Sequence, residues 1–349
     1  MTLASQSTVR VNRIRQAWAA LVAGCALALA LAPSAQAAAI EIDLASAYQA
    51  ENFHTRNLQQ FADDLEQASA GQLRLRVHPA GSLLAPAQIF DGVRAGKAQA
   101  GEVILSSLAR QSPLFGIDAL PFIVSGYDDA RLMWQASRPE IEKQLAARGL
   151  QLLYAVPWPA QNLYSRREIR KVGDFKGLRM RTYDPATERI AQLIGAVPVT
   201  IQAVDLERAI AADELDLMIT SSSTGVETQA WRRMGYYYRI SAWIPKNVVF
   251  MDRRLFAALP EALKEQVLQA ARAAEARGWK MSRQSDLDFE GRLGANRILI
   301  ADTDYLVRGY LDRIGEKLGR EWLRNAGNDE LSVLMKYTTA RAGWRDGGN

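Results

Sequence analysis

Leu73-Arg74-Leu75-Arg76-Val77 alternates apolar and basic side chains with a period of two, and the turn His78-Pro79-Ala80-Gly81 follows it. A helical pattern from about Pro86 to Ala95 leads through Gly96 to a second strand pattern near Ala100 to Leu105. Strand, helix and strand at this spacing predict βαβ units and a mostly parallel sheet, because parallel neighbours need a long crossover connection. That one feature restricts the chain to α/β architectures, and the rest of the sequence repeats the same grammar.

Before it, Ile40 to Ala47 alternates weakly, and a helical stripe through Leu58, Phe61, Leu65 and Ala68 ends at Gly71. After it, Leu120-Pro121-Phe122 reads as an extended break, followed by two helices around Asp128 to Ala136 and Pro139 to Ala147 and a strand from Leu150 to Val156. Pro157-Trp158-Pro159 stiffens the backbone, since each proline fixes its own φ and restrains the residue before it, and reads as a hinge or domain crossing. Further helices are expected at Pro185 to Ile194 and Leu206 to Ala212, and strands at Val197 to Ile201, Leu215 to Ile219, Tyr236 to Ile240 and Val248 to Met251. The longest helical pattern begins at Pro260-Glu261, carries Leu263, Val267, Ala271 and Ala274 on one stripe, and runs to about Gln284 or beyond. Helices at roughly Asp302 to Leu318 and Asp329 to Ala340 close the chain.

At 349 residues there is room for two domains, each with a core. Residues 1–37 read as an export signal: Arg10, Arg13 and Arg15 precede an apolar run from Ala17 to Leu31, and Ala35-Gln36-Ala37 is a small-residue cleavage site. That segment holds three Arg and no acid, so its removal lowers the net charge from +5 to about +2 and leaves no case for nucleic acid as a partner. The single cysteine, Cys25, lies inside the run; Val22-Ala23-Gly24-Cys25 also resembles a lipobox, with lipidation as the alternative to simple cleavage. Either reading makes this an exported chain.

Catalytic chemistry is poorly supplied. There are two histidines, His54 and His78, no cysteine beyond the export segment, and no nucleophile elbow, phosphate-binding loop, dinucleotide fingerprint or metal-ligand spacing. No catalytic residue, metal or cofactor is expected. The chemistry that does stand out is the run Asp174-Phe175-Lys176-Gly177-Leu178-Arg179-Met180-Arg181-Thr182-Tyr183-Asp184: a turn at Lys176-Gly177, a short strand, and a helix start at Asp184-Pro185. Ligands in open α/β sheets bind at the carboxyl ends of strands, and an arginine there can hold a carboxylate with two parallel hydrogen bonds. Alternation with Leu178 and Met180 puts both Arg179 and Arg181 on one cationic face, and leaves open which meets a ligand and which a surface acid.

These motifs, together with Gly81-Ser82-Leu83, Leu120-Pro121-Phe122, Gly195-Ala196-Val197-Pro198 and the stretch from Ala209 to Asp216 after Asp205-Leu206, resemble in order and spacing the solute-binding proteins of tripartite ATP-independent periplasmic (TRAP) transporters, DctP type. The likeness spans nearly the whole chain beyond the export segment, and the Asp-Phe-Lys-Gly-Leu-Arg-Met-Arg run is its most specific part. It implies an α/β, two-lobe periplasmic-binding-protein fold of type II-like, Venus-flytrap form, with hinge strands and a long lobe-spanning helix. The expected division is residues 38–157 plus about 246–285 in lobe I and 158–245 plus about 286–349 in lobe II. It further implies a small organic-acid ligand, delivery to the small and large membrane subunits of a sodium-coupled permease, and a monomer or homodimer.

In that family the second arginine of the segment holds the ligand carboxylate, which selects Arg181. Two departures narrow the ligand: Ala160-Gln161 stands where many members carry a further arginine, and Thr220-Ser221 where they carry asparagine. One fewer cation points to a monocarboxylate, a 2-oxo or 2-hydroxy acid among them, over a dicarboxylate. Other expected ligand contacts are Gln161, one of Thr220 and Ser221, the aromatic walls Trp158 and Trp243, and the first-loop cluster Asn52, Phe53 and His54; core packing competes for the tryptophans and helix capping for Asn52. The rival functions are a periplasmic lyase or isomerase acting on a carboxylate, which the poverty of His and Cys disfavours, and a sensor-partner binding protein.

Overall fold

The computed structural model describes residues 38–346, so the expected export signal and Cys25 lie outside the described residues. In chain order the elements are β1 (Ile40–Ala45), α1 (Phe53–Ala68), β2 (Leu73–His78), α2 (Ile89–Arg94), β3 (Ala100–Ile104), α3 (Tyr127–Ala146), β4 (Leu150–Pro157), β5 (Asn162–Ser165), β6 (Arg179–Thr182) and α4 (Pro185–Leu193). There follow β7 (Val197–Thr200), α5 (Leu206–Ala211), β8 (Leu217–Thr220), α6 (Ser222–Glu227), β9 (Tyr236–Tyr238), β10 (Lys246–Asp252), α7 (Arg253–Ala258), α8 (Glu261–Ala295), β11 (Leu299–Ala301), α9 (Tyr305–Asn325) and α10 (Asn328–Asp346).

The strands form two sheets, ordered β2-β1-β3-β10-β4 and β11-β9-β5-β8-β6-β7. The expected parallel pairing holds for β2-β1-β3 and for β8-β6-β7. Each sheet nonetheless contains antiparallel pairs: β10 runs antiparallel to β3 and β4, and β5 antiparallel to β8 and β9. With β9 and β11 also parallel, the sheets are mixed, parallel pairs outnumbering antiparallel ones by one among the described residues. The reason is connectivity: β5 enters the second sheet directly from β4 of the first, and β10 returns to the first from the second. Both are inserted without a helical crossover. The two crossing segments lie against one another, with Trp158 N donating to Pro245 O (2.8 Å), Gln161 N to Trp243 O (2.9 Å) and Ala242 N to Gln161 O (2.8 Å).

Apolar side chains cover both faces of each sheet. One cluster joins α3, β4 and β10 through Met133, Trp134, Ile141, Leu145, Leu152 and Phe250, and a second joins α1 and α8 to the opposite face through Phe61, Leu65, Leu153, Val267 and Ala271. The second sheet packs α4 and α9 on one side and α5, α6 and the end of α8 on the other. The long helix α8 thus starts against α1 and β4 and ends against α6 and β11, spanning both sheets.

Two expectations need correction. The split at Pro139 does not occur: α3 is continuous from Tyr127 to Ala146 with Pro139 inside it. A proline removes its own N–H bond, and here the buried stripe Met133, Trp134, Ile141 and Leu145 carries the helix through that defect. The C-terminal helix, expected with lobe II, packs on α3 beside the first sheet, where Val333 and Tyr337 join the core of Met133 and Ile141.

Candidate functional site

Between the two sheets lies a cavity of about 280 Å³. Its walls come from both: Tyr48, Asn52, Phe90, Glu102 and Val103 from the first, Gln161, Arg181, Tyr183, Thr220, Thr224 and Glu227 from the second, with Trp158 on the crossing segment.

The strand β6 places the two arginines in different environments. Met180 points into the core, so Arg179 and Arg181 share the other face, but they stand at opposite ends of the strand. At the amino end, Arg179 is half-exposed and pairs with Asp216 through Nε (3.0 Å) and Nη2 (2.9 Å), and it donates to the carbonyl of Asp213 as well. At the carboxyl end, Arg181 is 4% exposed, and among the described residues no carboxylate pairs with it. Its Nε donates to Ile201 O (3.0 Å), and its guanidinium lies 4.7 Å from the centre of the Tyr183 ring. Burial pulls its pKa below the usual arginine value, partly offset by Tyr183, Tyr48 and Asp184. A buried cation held by a ring face and one carbonyl is short of the counter-charge that would repay its desolvation.

The next turn fixes this geometry. Asp184 caps α4 by accepting from Thr187 N (2.8 Å), with Pro185 in the first turn, as its sequence predicts. The other Asp184 oxygen accepts from Ser106 Oγ (2.7 Å), a buried bond from the first sheet's side to the second's. Tyr183 O–H donates to Gln161 Oε1 (3.3 Å), and Gln161 Nε2 to Pro159 O (2.8 Å), so Gln161 reaches the cavity already oriented.

Trp158 forms an aromatic wall. Its indole N–H donates to Asn247 Oδ1 (2.8 Å), and Tyr48, His54 and Phe53 surround its ring at centroid distances of 5.0, 4.3 and 5.4 Å. Asn52 takes the capping role that the sequence offered and also lines the cavity. Its Oδ1 caps α1 by accepting from His54 N (2.8 Å), while its Nδ2 crosses the cavity to donate to Glu227 Oε2 (2.8 Å). Burial raises the Glu227 carboxyl above the usual range, against the hydrogen bonds from Asn52 and Ser223.

Of the residues singled out from sequence, Arg181, Gln161, Trp158, Thr220 and Asn52 meet in this cavity. The other four do not line it. Trp243 is packed in the core of the second sheet and Phe53 in that of the first. Ser221 is spent as the cap of α6, its side chain accepting from Thr224 N (3.1 Å). His54 is 1% exposed behind the wall, its Nδ1 3.3 Å from Glu102 Oε1. Sequence reasoning missed Tyr48, Tyr183, Glu102 and Glu227. Tyr183 was recoverable as the residue two beyond Arg181, on the same face of an extended run; Glu102 was recoverable as the one acid within the apolar strand β3.

Among the described residues no group of three or more His, Cys, Asp or Glu is placed to hold a metal ion, and no helix is long and apolar enough to cross a membrane.

Comparison with known proteins agrees with this geometry. Residues 44–304 match the DctP family model, described as bacterial extracellular solute-binding protein, family 7. The extracytoplasmic solute receptor DctP6 of Bordetella pertussis, solved with pyroglutamic acid, is 36% identical, with 86% of this chain and 100% of that one covered and a TM-score of 0.84. A marine metagenome TRAP solute-binding protein in complex with co-purified pyroglutamate is 31% identical, covering 86% and 99% of the two chains, again at a TM-score of 0.84. The 2,3-diketo-L-gulonate-binding periplasmic protein of Escherichia coli is 22% identical over 285 residues, 78% of this chain and 85% of that protein. The chain therefore belongs to the DctP family of extracytoplasmic solute-binding proteins, the receptors of TRAP transporters.

Proposed function

We propose that the cavity takes a small cyclic monocarboxylate of the pyroglutamate type, anchored by Arg181, and that the loaded receptor delivers it to the membrane subunits of a TRAP permease. The observation that carries this reading is the buried guanidinium of Arg181, left without an acid and facing a cavity walled by aromatic rings. A carboxylate seated there repays the desolvation of the cation through two parallel hydrogen bonds, the geometry that arginine offers and lysine does not. The cavity's single unpaired arginine favours a monocarboxylate over a dicarboxylate. Its modest volume suits a five-membered ring, and relatives at 31% and 36% identity were solved with pyroglutamate. Trp158 offers the ring a flat wall, and Gln161 and Thr220 offer polar contacts to its carbonyl. The family is one of receptors, not enzymes. Residues 1–37 fit a cleaved export signal, which together with the extracellular solute-binding family supports a periplasmic location.

The test is thermal shift and calorimetry with L-pyroglutamate beside proline, orotate, galactonate and 2-oxoglutarate. L-pyroglutamate is expected to raise the melting temperature. Arg181→Ala is expected to abolish that shift while the ligand-free melting temperature stays within a few degrees, since an unpaired buried cation contributes little to stability. An undiminished shift in Arg181→Ala removes the residue from its role.

A further inference from the structure

We propose that Glu102 reads a hydrogen-bond donor next to the ligand's carboxylate, so that the receptor selects an N–H-bearing ring acid, such as a lactam, over its oxygen-only counterpart. The proposal rests on the carboxylate reading above and adds a specificity element to it.

An acid in a cavity built for an acid is an anomaly. Glu102 is 1% exposed, sits on β3 opposite Val249, and lines the same cavity as Arg181. Its known partners are few: Oε2 accepts from Ser46 Oγ (2.8 Å), and Oε1 lies 3.3 Å from His54 Nδ1. No Lys or Arg pairs with it among the described residues. Burial pushes the His54 imidazole below its usual pKa, against the opposing pull of Glu102 beside it. Tyr48, on the same cavity wall, is not a donor to Glu102 either, because its hydroxyl donates to Asn247 Oδ1 (3.2 Å). Tyr48, Glu102 and Arg181 all line the one cavity, so the acid and the base face a common space.

A carboxylate offers about four lone-pair directions. Ser46 takes one of them and the His54 ring stands beside the other oxygen, while the side chain lines the cavity in which the ligand is proposed to sit. A ligand with oxygen atoms alone would set acceptor against acceptor and leave Glu102 desolvated and unpaired, which costs more than a missing contact. In a ring acid of the pyroglutamate kind the N–H is bonded to the carbon that carries the carboxylate. A group holding the carboxylate and a group accepting from the N–H must then open onto one cavity, as Arg181 and Glu102 do.

The experiment is calorimetry on the mature receptor with three ligands of matched shape: L-pyroglutamate, its lactone analogue with ring oxygen in place of N–H, and N-methyl-L-pyroglutamate. The wild-type protein is expected to bind the lactam about 10- to 100-fold more tightly than the lactone. Glu102→Gln, whose amide can donate to the lactone oxygen as well as accept from N–H, is expected to bring that ratio below about threefold. Arg181→Lys is expected to weaken lactam and lactone together and leave the ratio intact. Equal binding of lactam and lactone by the wild type overturns the role of Glu102 without touching the carboxylate anchor, and so does a preference that survives Glu102→Gln. The wild-type comparison needs no variant, so it stands even where Glu102→Gln fails to fold. Failure of the wild type to bind any of the three sinks the pyroglutamate reading and this inference with it.

Discussion

Two arginines separated by one residue sit in opposite environments here, and the contrast is measurable. Arg179 supports the fold: with Arg166 it holds Asp216, whose carboxyl is drawn down to about 2, chiefly by the Arg179 hydrogen bonds. A folded-state value below the unfolded one contributes stability that is present above about pH 4 and is lost as pH falls through 2. Arg179→Ala is therefore expected to cost about 1 kcal/mol at pH 7, discounted for the solvent exposure of the pair. That cost should shrink on titration from pH 4 toward 2, while ligand affinity stays within about twofold. Chemical denaturation across that pH range, with calorimetry at pH 7, checks both halves; a large affinity loss would mean that the two side chains are not independent. The sequence put both arginines on one face of one strand. What it did not carry is that Asp213 and Asp216, more than thirty residues on, close over the first of them and leave the second bare.

Elements with strong local patterning were legible, and those dictated by insertion into a sheet were not. The stripes of α1 and α8 and the Asp184-Pro185 start of α4 follow from side-chain period and capping chemistry. β5 and β11 are four and three residues long, too short for a period to register, and exist because a neighbour supplies their hydrogen bonds. Continuity of α3 through Pro139 likewise depends on what the helix packs against. The helix α8 shows the same dependence on its partners at Gly278. A Cβ there would meet Val156 Cγ2 and lie 2.9 Å from Asn57 Nδ2, so glycine is what lets α8 sit against β4. Asn57 is also held in place by donating to Ala274 O (3.0 Å), leaving little slack. Gly278→Val is expected to destabilise the protein by about 1–3 kcal/mol through overpacking, although valine and glycine are both tolerated by isolated helices far better than that. A melting temperature within 1 °C of wild type would mean that the helix can shift outward at no cost.

At the scale of the molecule, ligand recognition depends on how the two sheets are held together, and one bond isolates that dependence. Among the links that cross between their two sides near the cavity are Asn52 to Glu227, Ser106 to Asp184, and the exposed pair Arg110 with Glu188. Asn52 and Glu227 line the cavity, so changing them confounds contact with geometry. The Arg110 pair is solvated and worth little. Ser106 is different: it is 2% exposed, it does not line the cavity, and its hydroxyl donates 2.7 Å to the Asp184 carboxylate that caps the helix following Arg181. Removing that hydroxyl leaves every cavity-lining side chain in place and subtracts one charge-assisted bond from the closed arrangement. A ligand that touches both sides can favour closure only by its difference in affinity between the two arrangements, so a weaker closed state appears directly as weaker binding. Ser106→Ala is accordingly expected to raise the dissociation constant for L-pyroglutamate about 5- to 30-fold, in line with one hydrogen bond to a charged group. The ligand-free scattering radius should rise or stay level, and saturating ligand should restore the wild-type value. Calorimetry with small-angle X-ray scattering reads both quantities, and unchanged affinity with an unchanged radius would mean that this bond stabilises α4 alone and that closure is governed by the crossing strands.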